Sequence, residues 1–348
     1  EGKAAVAGSR GFGAGFKLLK HVRPMMRQLF DAEWNAARSF EPDIVVYHPK
    51  ALAAPHIAEK LGRPAVLASP LPGFTPTSDF PTPMLPFGSL GPLNRISHRL
   101  VSGGSTLLFG RMIGDWRSTA LGLSRKSAAR PTAATIYAYS PHVVPRPADW
   151  GRDVLVSGYW FLDGAGWTPD AALAAFLRDG PPPVYVGFGS MPGLDPEGLA
   201  EMVVEALAKT GKRGLLATGG GAISGRTTAH HVHVITGAPH ETLFPLMDAV
   251  VHHGGAGTTA AAIRAGKPMV VCPFFGDQPF WGRRVESLGI APPPLERKTL
   301  TANALANAIE AMDDARMREA AATLGKKVRA ENGVSAAVNF LEQVMSDA

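Results

Sequence analysis

The sequence predicts an α/β protein built on parallel sheets, and three observations lead to this fold class. Apolar runs typical of buried strands alternate with segments of helical periodicity through the second half of the chain. Glycine-rich or polar turns follow these runs, at the end of the strand where a parallel sheet binds its ligand. The stretch VVHHGGAGTTAAAIRAG, residues 250–266, reads as a buried strand, a glycine-rich turn and a helix that stops at Gly266.

The second half of the chain contains five strand candidates in order. They are PPVYVGFGS, RGLLATG, HVHVITGAP, DAVVHH and KPMVVCPFF, with helices predicted over 199–207, in HETLFPLM, near 257–266 and in DQPFWGRRVESLG. Four turns, FGS, GAPH, HHGGAG and FFGDQ, stand at carboxyl ends of these strands. Because carboxyl ends of parallel strands share one sheet edge, we expect these turns to converge.

The first half is less regular. EPDIVVYHP and RPAVLASP are predicted strands around the helix ALAAPHIAEKLG, and TIYAYS and DVLVSGYW are later strands. Between them lies LPGFTPTSDFPTPMLPFGSLGP, too rich in proline and glycine for a regular element and of a length typical of functional or mobile loops. Helical stretches from about residue 93 to 126 are expected to cover the core, to touch a hydrophobic ligand, or both. The predicted domains are 1–165, 166–330 and a C-terminal helix, 331–348, that packs back on the first.

Composition narrows the function class. The chain has 348 residues with 45% hydrophobic and 18% charged, which is enough for two globular domains, and no apolar run has the length of a membrane span. The net charge of +6 is spread along the chain, so nucleic acid is not an expected partner, while phosphorylated ligands and a peripheral contact with anionic membranes are favoured. The one cysteine, Cys272, is predicted to be a buried thiol, and a cytoplasmic location is expected.

Two local patterns have ordinary alternatives. The glycines of HHGGAG could serve only the backbone angles of a tight turn. The cluster His230, His231 and His233 suggests a metal, but no second group of ligands stands at a metal-binding spacing, so no metal site is predicted.

The stretch from 237 to 289 resembles the donor-binding region of family 1 glycosyltransferases, in the branch of sterol and antibiotic glycosyltransferases. GAPHETLFPLMDAVVHHGG, the helix and strand after it and the FFGDQ turn carry this resemblance, and YAYSPHVVPRPADWGRDVLVSGYWFLD and YHPKALAAPHIAEKLGRPAV extend it over most of the chain. The resemblance implies the GT-B fold: two Rossmann-like domains whose parallel sheets face across a cleft that holds a nucleotide sugar.

The family pattern also implies donor-binding roles. His253 and the backbone of Gly255, Ala256, Gly257 and Thr258 would hold the diphosphate, and Ser190 would approach the same phosphates. Ala238 and His240, within GAPH, would cradle uracil, while Asp277 and Gln278 would bind sugar hydroxyls. In plant members a tryptophan stacks on the uracil and a glutamate holds the ribose. Gly237 and Ala261 occupy the corresponding positions of this sequence, so the base and ribose contacts are the part of the family pattern that transfers least well.

The residue types suit this chemistry. The first N–H groups of a helix lack partners within it and carry partial positive charge, which favours a diphosphate, and glycines let its oxygens approach. No metal or other cofactor is then expected besides the UDP-sugar substrate. Three side chains have structural alternatives: Asp277 could cap the next helix, Trp281 could pack in the core, and one of His252 and His253 should be structural because strand neighbours point to opposite sides.

The family's opening strand, glycine-rich loop and catalytic base have no counterpart in residues 1–40. GSRGFGAGF, residues 8–16, follows a poor strand and is interpreted as a linker before a helix, so the chain is expected to start inside an incomplete N-terminal domain. No base is assigned, and the first candidates are His21, His48, His56 and Asp79. A chain without that segment is expected to bind donor but to transfer sugar poorly.

The predicted function is inverting transfer of a hexose, glucose from UDP-glucose, to a hydroxyl of a hydrophobic acceptor such as a sterol, lipid or polyketide. Two alternatives remain: a UDP-N-acetylglucosamine transferase of lipid or cell-wall synthesis, and a nucleotide-sugar-binding fragment without catalysis.

Overall fold

Two parallel sheets organise the chain in the computed structural model, which describes residues 12–125, 132–162, 166–191 and 195–347. The first sheet contains β1 (Val45–Tyr47), β2 (Ala65–Ser69), β3 (Ala134–Tyr137) and β4 (Val154–Val156), hydrogen-bonded in that order. All neighbours are parallel, with Val66 opposite Ala134 and Tyr137 opposite Val156. The four strands predicted in the first half are therefore confirmed.

The second sheet has five strands in the order β7-β6-β5-β8-β9. These are β5 (Val184–Gly187), β6 (Gly214–Ala217), β7 (Val232–Ile235), β8 (Ala249–His252) and β9 (Met269–Val271), all parallel to their neighbours. Together the two parallel sheets confirm the predicted α/β class, and helices join most consecutive strands, whereas loops without a helix join β3 to β4 and β6 to β7.

Eleven helices cover the sheets in the described residues. They are α1 (Phe12–Phe40), α2 (Ala54–Leu61), α3 (Asn94–Trp116), α4 (Ala171–Arg178), α5 (Pro196–Thr210), α6 (His240–Leu243), α7 (Ala256–Arg264), α8 (Gln278–Ser287), α9 (Ala302–Ala311), α10 (Ala315–Arg329) and α11 (Gly333–Ser346). In HETLFPLM the proline limits the α-helix to α6, and the 3-10 turn Phe244–Leu246 follows. The stretch 8–16 falls partly in α1, and residues 8–11 lie outside the described residues.

Separate hydrophobic clusters lie on the two faces of the second sheet. On one face Val186, Val251 and Val270 pack against α5 and α9. Cys272 belongs to this cluster, and burial raises the pKa of its thiol to about 12, which confirms the buried cysteine. On the other face Tyr185 joins a cluster that continues into Tyr137 of the first sheet.

The C-terminal helix lies on the first sheet, where Ala337 of α11 packs with Val66 and Ile136. Gly333 approaches the connection between the sheets so closely that a Cβ there would lie 2.4 Å from the Tyr159 carbonyl oxygen. The domain boundary predicted at 165–166 adjoins residues 163–165, which lie outside the described residues.

Close helix packing also depends on Gly325, where α10 crosses α7. A Cβ on Gly325 would lie 2.8 Å from the Gly266 Cα and 2.8 Å from the Ile263 carbonyl oxygen, both backbone atoms that cannot rotate away. Gly325→Ala is therefore expected to lower the free energy of unfolding by about 1–3 kcal/mol. Gly103 of α3 has nothing within 4 Å of an added Cβ, so Gly103→Ala should raise it by up to about 1 kcal/mol.

Urea unfolding of both variants and of the unsubstituted chain tests these two predictions. A Gly325→Ala protein as stable as the unsubstituted chain would show that α10 and α7 are not in such close contact.

Candidate functional site

The five strands of the second sheet end in one row. Gly187 of β5 is opposite both Ala217 of β6 and His252 of β8, and the row continues to Ile235 and Val271. Each strand ends at its residue in this row, so all five following turns leave the sheet at the same level. The predicted convergence of the four turns on one edge is confirmed.

The turns also touch one another. A Cβ on Gly220, after β6, would lie 1.8 Å from the Gly189 backbone carbon, after β5. A Cβ on Gly219 would lie 2.1 Å from the Thr236 carbonyl oxygen, after β7, and one on Gly189 would lie 3.4 Å from the His253 ring. Glycine is required at 219 and 220 because the neighbouring backbones occupy the space of a side chain.

The turn from β8 to α7 is built around a buried histidine. His252 is fully buried, its Nδ1 accepts the Gly254 backbone N–H at 3.0 Å, and its Nε2 lies 3.4 Å from the Met269 sulfur. Burial, with His253 and His240 nearby, lowers the pKa of His252 to about 3, so the ring is neutral. His252 is therefore the structural member of the histidine pair.

Gly254 completes this turn. Its φ of +87° is a conformation that favours glycine, and a Cβ would lie 2.7 Å from the Val271 side chain. The chain then enters α7 with Gly255 as the N-cap residue, in an extended conformation.

The N-terminus of α7 has no side-chain cap. Its first helical bond joins the Thr259 N–H to the Gly255 carbonyl at 2.9 Å, so the N–H groups of Ala256, Gly257 and Thr258 have no partner within the helix. Most other helices of the second half are capped by an acceptor side chain: Asp170, Asp195, Thr301, Asp314 and Asn332. The N-termini of α6 and α8 also lack a side-chain cap, so α7 is one of three uncapped helix ends at the converging turns, and its glycine N-cap leaves room for an anion.

His253 lies beside this helix end. Its Nδ1 is buried and makes no hydrogen bond with the described residues. Burial lowers the pKa of His253, and the nearby Asp277 carboxylate opposes this effect. The ring is therefore a polar group that gains from a ligand with hydrogen-bonding atoms.

Asp277 stands at the N-cap position of α8 but makes no capping bond. Its Oδ2 instead accepts the Trp281 Nε1–H at 2.9 Å, so the capping alternative is wrong for its side chain. Trp281 is 1% exposed and packs against Tyr139 and Phe280, which confirms its core interpretation. The indole holds the carboxylate on the side of His253.

Gln278 is buried, and its carboxamide holds the preceding turn. Its Oε1 accepts the N–H groups of Phe274 at 2.7 Å and Phe275 at 3.2 Å, and its Nε2 lies 3.3 Å from the Met191 sulfur. Because the oxygen is occupied by the protein, the predicted sugar contact of Gln278 depends on the second N–H of its Nε2.

The remaining predicted residues border the same turns. His240 begins α6, its Nε2 lies 3.3 Å from the Tyr185 hydroxyl, its ring stacks on Phe244, and burial lowers its pKa. Ala238 is half-buried in the turn before α6, and Ser190 is exposed in the turn after β5.

A cavity of about 420 Å³ lies where the two halves of the molecule meet. Phe80 and Phe87, from the long loop of residues 70–90 after β2, line one side; Phe280, Arg283 and Arg284 of α8 line the other. The loop follows the carboxyl end of β2 in the first sheet, and α8 follows the carboxyl end of β9 in the second. The carboxyl ends of the two sheets therefore face each other across the cavity.

Comparison with known proteins identifies relatives of this chain. Residues 224–343 match the family model of the erythromycin biosynthesis protein CIII-like C-terminal domain. The chain is 38% identical over 312 residues to a sterol 3-beta-glucosyltransferase of Arabidopsis thaliana, covering 86% of this chain and 48% of the relative. A sterol 3-beta-glucosyltransferase of Emericella nidulans is 36% identical over 338 residues, covering 92% of this chain and 24% of the relative. The chain thus spans about half the length of the plant relative and about a quarter of the fungal one.

Solved structures share the fold. The glycosyltransferase of kitacinnamycin superposes with a TM-score of 0.70 at 20% identity, covering 97% of this chain and 84% of that one. Glycosyltransferase VinC, solved in complex with DTDP, gives a TM-score of 0.67 at 21% identity, covering 95% and 81%. The chain is thus similar in sequence to sterol 3-beta-glucosyltransferases over most of its own length, and it has the GT-B fold of the solved glycosyltransferases. Both the resemblance and the two-domain GT-B fold expected from the sequence are therefore confirmed.

Features that the sequence did not indicate lie at contacts between elements. The turn after β6, with Gly219 and Gly220, belongs to the converging set, and three consecutive glycines were its only signal. Arg283 donates to the carbonyl oxygens of Pro86 at 3.0 Å and Phe87 at 3.1 Å, and Arg284 donates to that of Val143. These arginines join α8 to the first half of the molecule.

The candidate bases lie in different surroundings. The His21 side chain is outside those the structure describes. His56 is bound to Arg117, and burial with that arginine lowers its pKa to about 4. His48 accepts the Lys50 N–H at 3.2 Å after β1, and Asp79 lines the cavity. Of the three whose side chains are described, only Asp79 borders the cavity.

Metal ligands do not cluster in the described part of the chain, where no three His, Cys, Asp or Glu side chains are placed to hold one ion. His231 lies 3.5 Å from the Val204 carbonyl oxygen, and His233 stacks on Phe176. The histidines of HHVH thus face different neighbours.

The neutral His252 predicts a pH-dependent stability. The unfolded histidine takes up a proton near pH 6.5 and the folded one only near pH 3, so stability is lost as the pH falls below about 6.5. When the pH falls from 7 to 5, this histidine should lower the free energy of unfolding by about 2 kcal/mol. His252→Asn keeps an acceptor for the Gly254 N–H but does not titrate, so it should remove this part of the loss.

Urea unfolding of both proteins at the two pH values gives the comparison. An equal loss in the variant would contradict a neutral, buried His252.

Proposed function

We propose that this chain holds a UDP-sugar in the turns of its second sheet and serves inverting transfer of a hexose, glucose from UDP-glucose, to a hydroxyl of a hydrophobic acceptor. The observation that carries the proposal is the uncapped N-terminus of α7 beside the ring of His253, whose buried Nδ1 makes no hydrogen bond with the described residues. Both groups can donate hydrogen bonds to a diphosphate, and both lie where five turns meet.

The diphosphate site requires several contacts at once. The helix end contributes about 0.3–2 kcal/mol and each charge-assisted hydrogen bond about 1.5–3 kcal/mol, whereas micromolar affinity needs about 8 kcal/mol. The backbone N–H groups of residues 256–258 and the ring of His253 supply several such bonds, with Ser190 added from the turn after β5. The same donors would stabilise the charge that develops on the leaving UDP, so no metal is required for this step.

The base and sugar contacts extend along the same edge. Ala238 and His240 would border uracil, with the His240 ring fixed by Tyr185 and Phe244. Asp277, held by Trp281, would accept hydrogen bonds from sugar hydroxyls, and Gln278 would add its free N–H while supporting the turn. In the transfer step the acceptor hydroxyl gives its proton to a general base while its oxygen bonds to the anomeric carbon from the face opposite UDP. UDP leaves with the electron pair of the bond between that carbon and the phosphate oxygen, which inverts the carbon.

The acceptor side is supported by the cavity between the halves. Its volume of about 420 Å³ is within the ~300–1,000 Å³ of small-molecule sites, and phenylalanines line both walls. The sterol named in the relatives' descriptions is largely apolar, which favours a hydrophobic acceptor such as a sterol, lipid or polyketide. A lipid acceptor also implies a peripheral membrane contact.

The phosphate and sugar roles predict different losses of affinity. His253→Ala removes a phosphate donor and should weaken both UDP and UDP-glucose about tenfold or more. Asp277→Asn keeps an acceptor for Trp281 but loses its charge, so it should weaken UDP-glucose and leave UDP within about twofold. His233→Ala, a histidine of the same sheet stacked on Phe176, is the matched control.

Calorimetric titration of each variant with both ligands measures these differences. Equal weakening of UDP and UDP-glucose by Asp277→Asn would sink the sugar role.

A transfer assay tests the proposed function itself. The chain, alone and in an N-terminally extended version, is mixed with a sterol and UDP-glucose or UDP-N-acetylglucosamine, in the presence of a chelator. We expect chelator-resistant UDP binding in both proteins and a β-glucoside product, formed about 10²–10⁴-fold faster by the extended version if the segment supplies a general base. Transfer from UDP-N-acetylglucosamine alone would support the first alternative, and donor binding without transfer in either protein would support the second.

A further inference from the structure

The segment from Phe80 to Gly114, comprising about half of the long loop and nearly all of α3, contains no Asp or Glu, and the exposed Asp79 precedes it. Its charged residues are Arg95, Arg99 and Arg111. Arg95 lies 3.5 Å from Asp149, whereas the side chains of Arg99 and Arg111 are exposed and have no partner in the described residues. This part of the surface is therefore positively charged.

The same segment exposes large apolar side chains along one line. Leu93, Ile96, Leu100 and Leu107 follow the three- and four-residue spacing of a single helix face, and we call this line the apolar stripe. Leu100 is 72% exposed and Leu107 87%, which is far beyond the scattered partial exposure of ordinary surface leucines. From Leu93 to Leu107 the apolar stripe is about 21 Å long.

The opposite side of α3 already has its packing partners. Trp116 packs against Phe30 of α1 at a ring distance of 5.3 Å, and His98 contacts the carbonyl oxygens of Gly73 at 3.2 Å and Phe80 at 3.0 Å. α3 thus carries a second apolar face that the fold does not use, a pattern that marks a surface for binding.

The apolar stripe continues into the long loop. Met84 is 44% exposed and Phe87 53%, and Phe87 also lines the 420 Å³ cavity between the halves of the molecule. Exposed apolar side chains therefore occur both on α3 and at the cavity proposed to receive the acceptor.

We propose that the apolar stripe, with Met84 and Phe87, docks on an anionic lipid bilayer. The leucines enter the boundary between headgroups and acyl chains while Arg99 and Arg111 contact acidic headgroups, as in helices that lie in a membrane surface. Charge favours a bilayer over a second copy of the chain as the binding partner of this face. A second copy would bring the same arginines against each other, whereas acidic lipids complement their charge. The proposal deepens the proposed function, on which it rests for the acceptor that would pass from the bilayer to the cavity.

Vesicle co-sedimentation tests the docking face without requiring catalysis. The purified chain is mixed with phosphatidylcholine vesicles, with or without about one third phosphatidylserine, at low and high salt. We expect binding to the anionic vesicles at low salt, weaker binding at high salt, and little to the neutral ones. Leu100→Gln/Leu107→Gln, which preserves helix propensity, should lower the partition coefficient at least about tenfold.

The double variant Arg99→Gln/Arg111→Gln should lower the partition coefficient on anionic vesicles roughly fivefold per arginine. The matched control is Leu162→Gln, which removes a leucine 86% exposed outside this face and should change binding less than about twofold. Thermal melts and UDP titration of every variant should match the unsubstituted chain, since no substitution touches the core or the donor turns.

The proposal is overturned if the chain stays in the supernatant with anionic vesicles, or if the leucine pair binds as well as the control. A dimer that the leucine variant dissociates, with no lipid binding, would assign the face to a second copy. If vesicles bind but UDP does not, the proposed function fails and the docking face stands.

Discussion

The hydrogen bond from the Gly254 N–H to the buried ring of His252 fixes the turn on which the site depends. With Gly254 held in its left-handed conformation against Val271, the chain can enter α7 only through Gly255, which offers no side chain to the helix end. The N–H groups of residues 256–258 are then directed toward the cleft without a partner. A neutral, fully buried histidine gives this turn its shape without adding a titrating charge next to the proposed diphosphate site.

A second constraint is the common row in which the five strands end. Because Gly187, Ala217, Ile235, His252 and Val271 stand side by side, their turns are close enough for backbone to touch backbone at Gly189 and Gly220. Shifting one strand by a residue would move its turn out of contact and send its side chains to the other face. The affinity for a nucleotide sugar would thus be shared among turns that no single segment could position alone.

Periodicity and turn chemistry predicted most of the fold and the location of the site. Alternating strand and helix patterns predicted both sheets, and the strand rule separated His252 from His253, although it did not say which was buried. Contacts between distant residues could not be predicted: the bond from Trp281 to Asp277 and the bonds of Gln278 to the 274–275 backbone exist only after α8 has packed. The long loop is also held by partners far along the chain. The Tyr137 hydroxyl accepts the Phe74 and Thr75 N–H groups, and the Asp149 carboxylate accepts the Thr77 hydroxyl and the Ser78 N–H.

The central claim is that the N-terminus of α7 and His253 bind the diphosphate of a nucleotide sugar. A crystal structure with UDP bound measures this most directly. Phosphate oxygens are expected about 3 Å from the backbone nitrogens of Ala256, Gly257 or Thr258 and in hydrogen-bonding contact with the His253 ring. Phosphates bound instead at Arg283 and Arg284, with the α7 N–H groups facing only water, would contradict it.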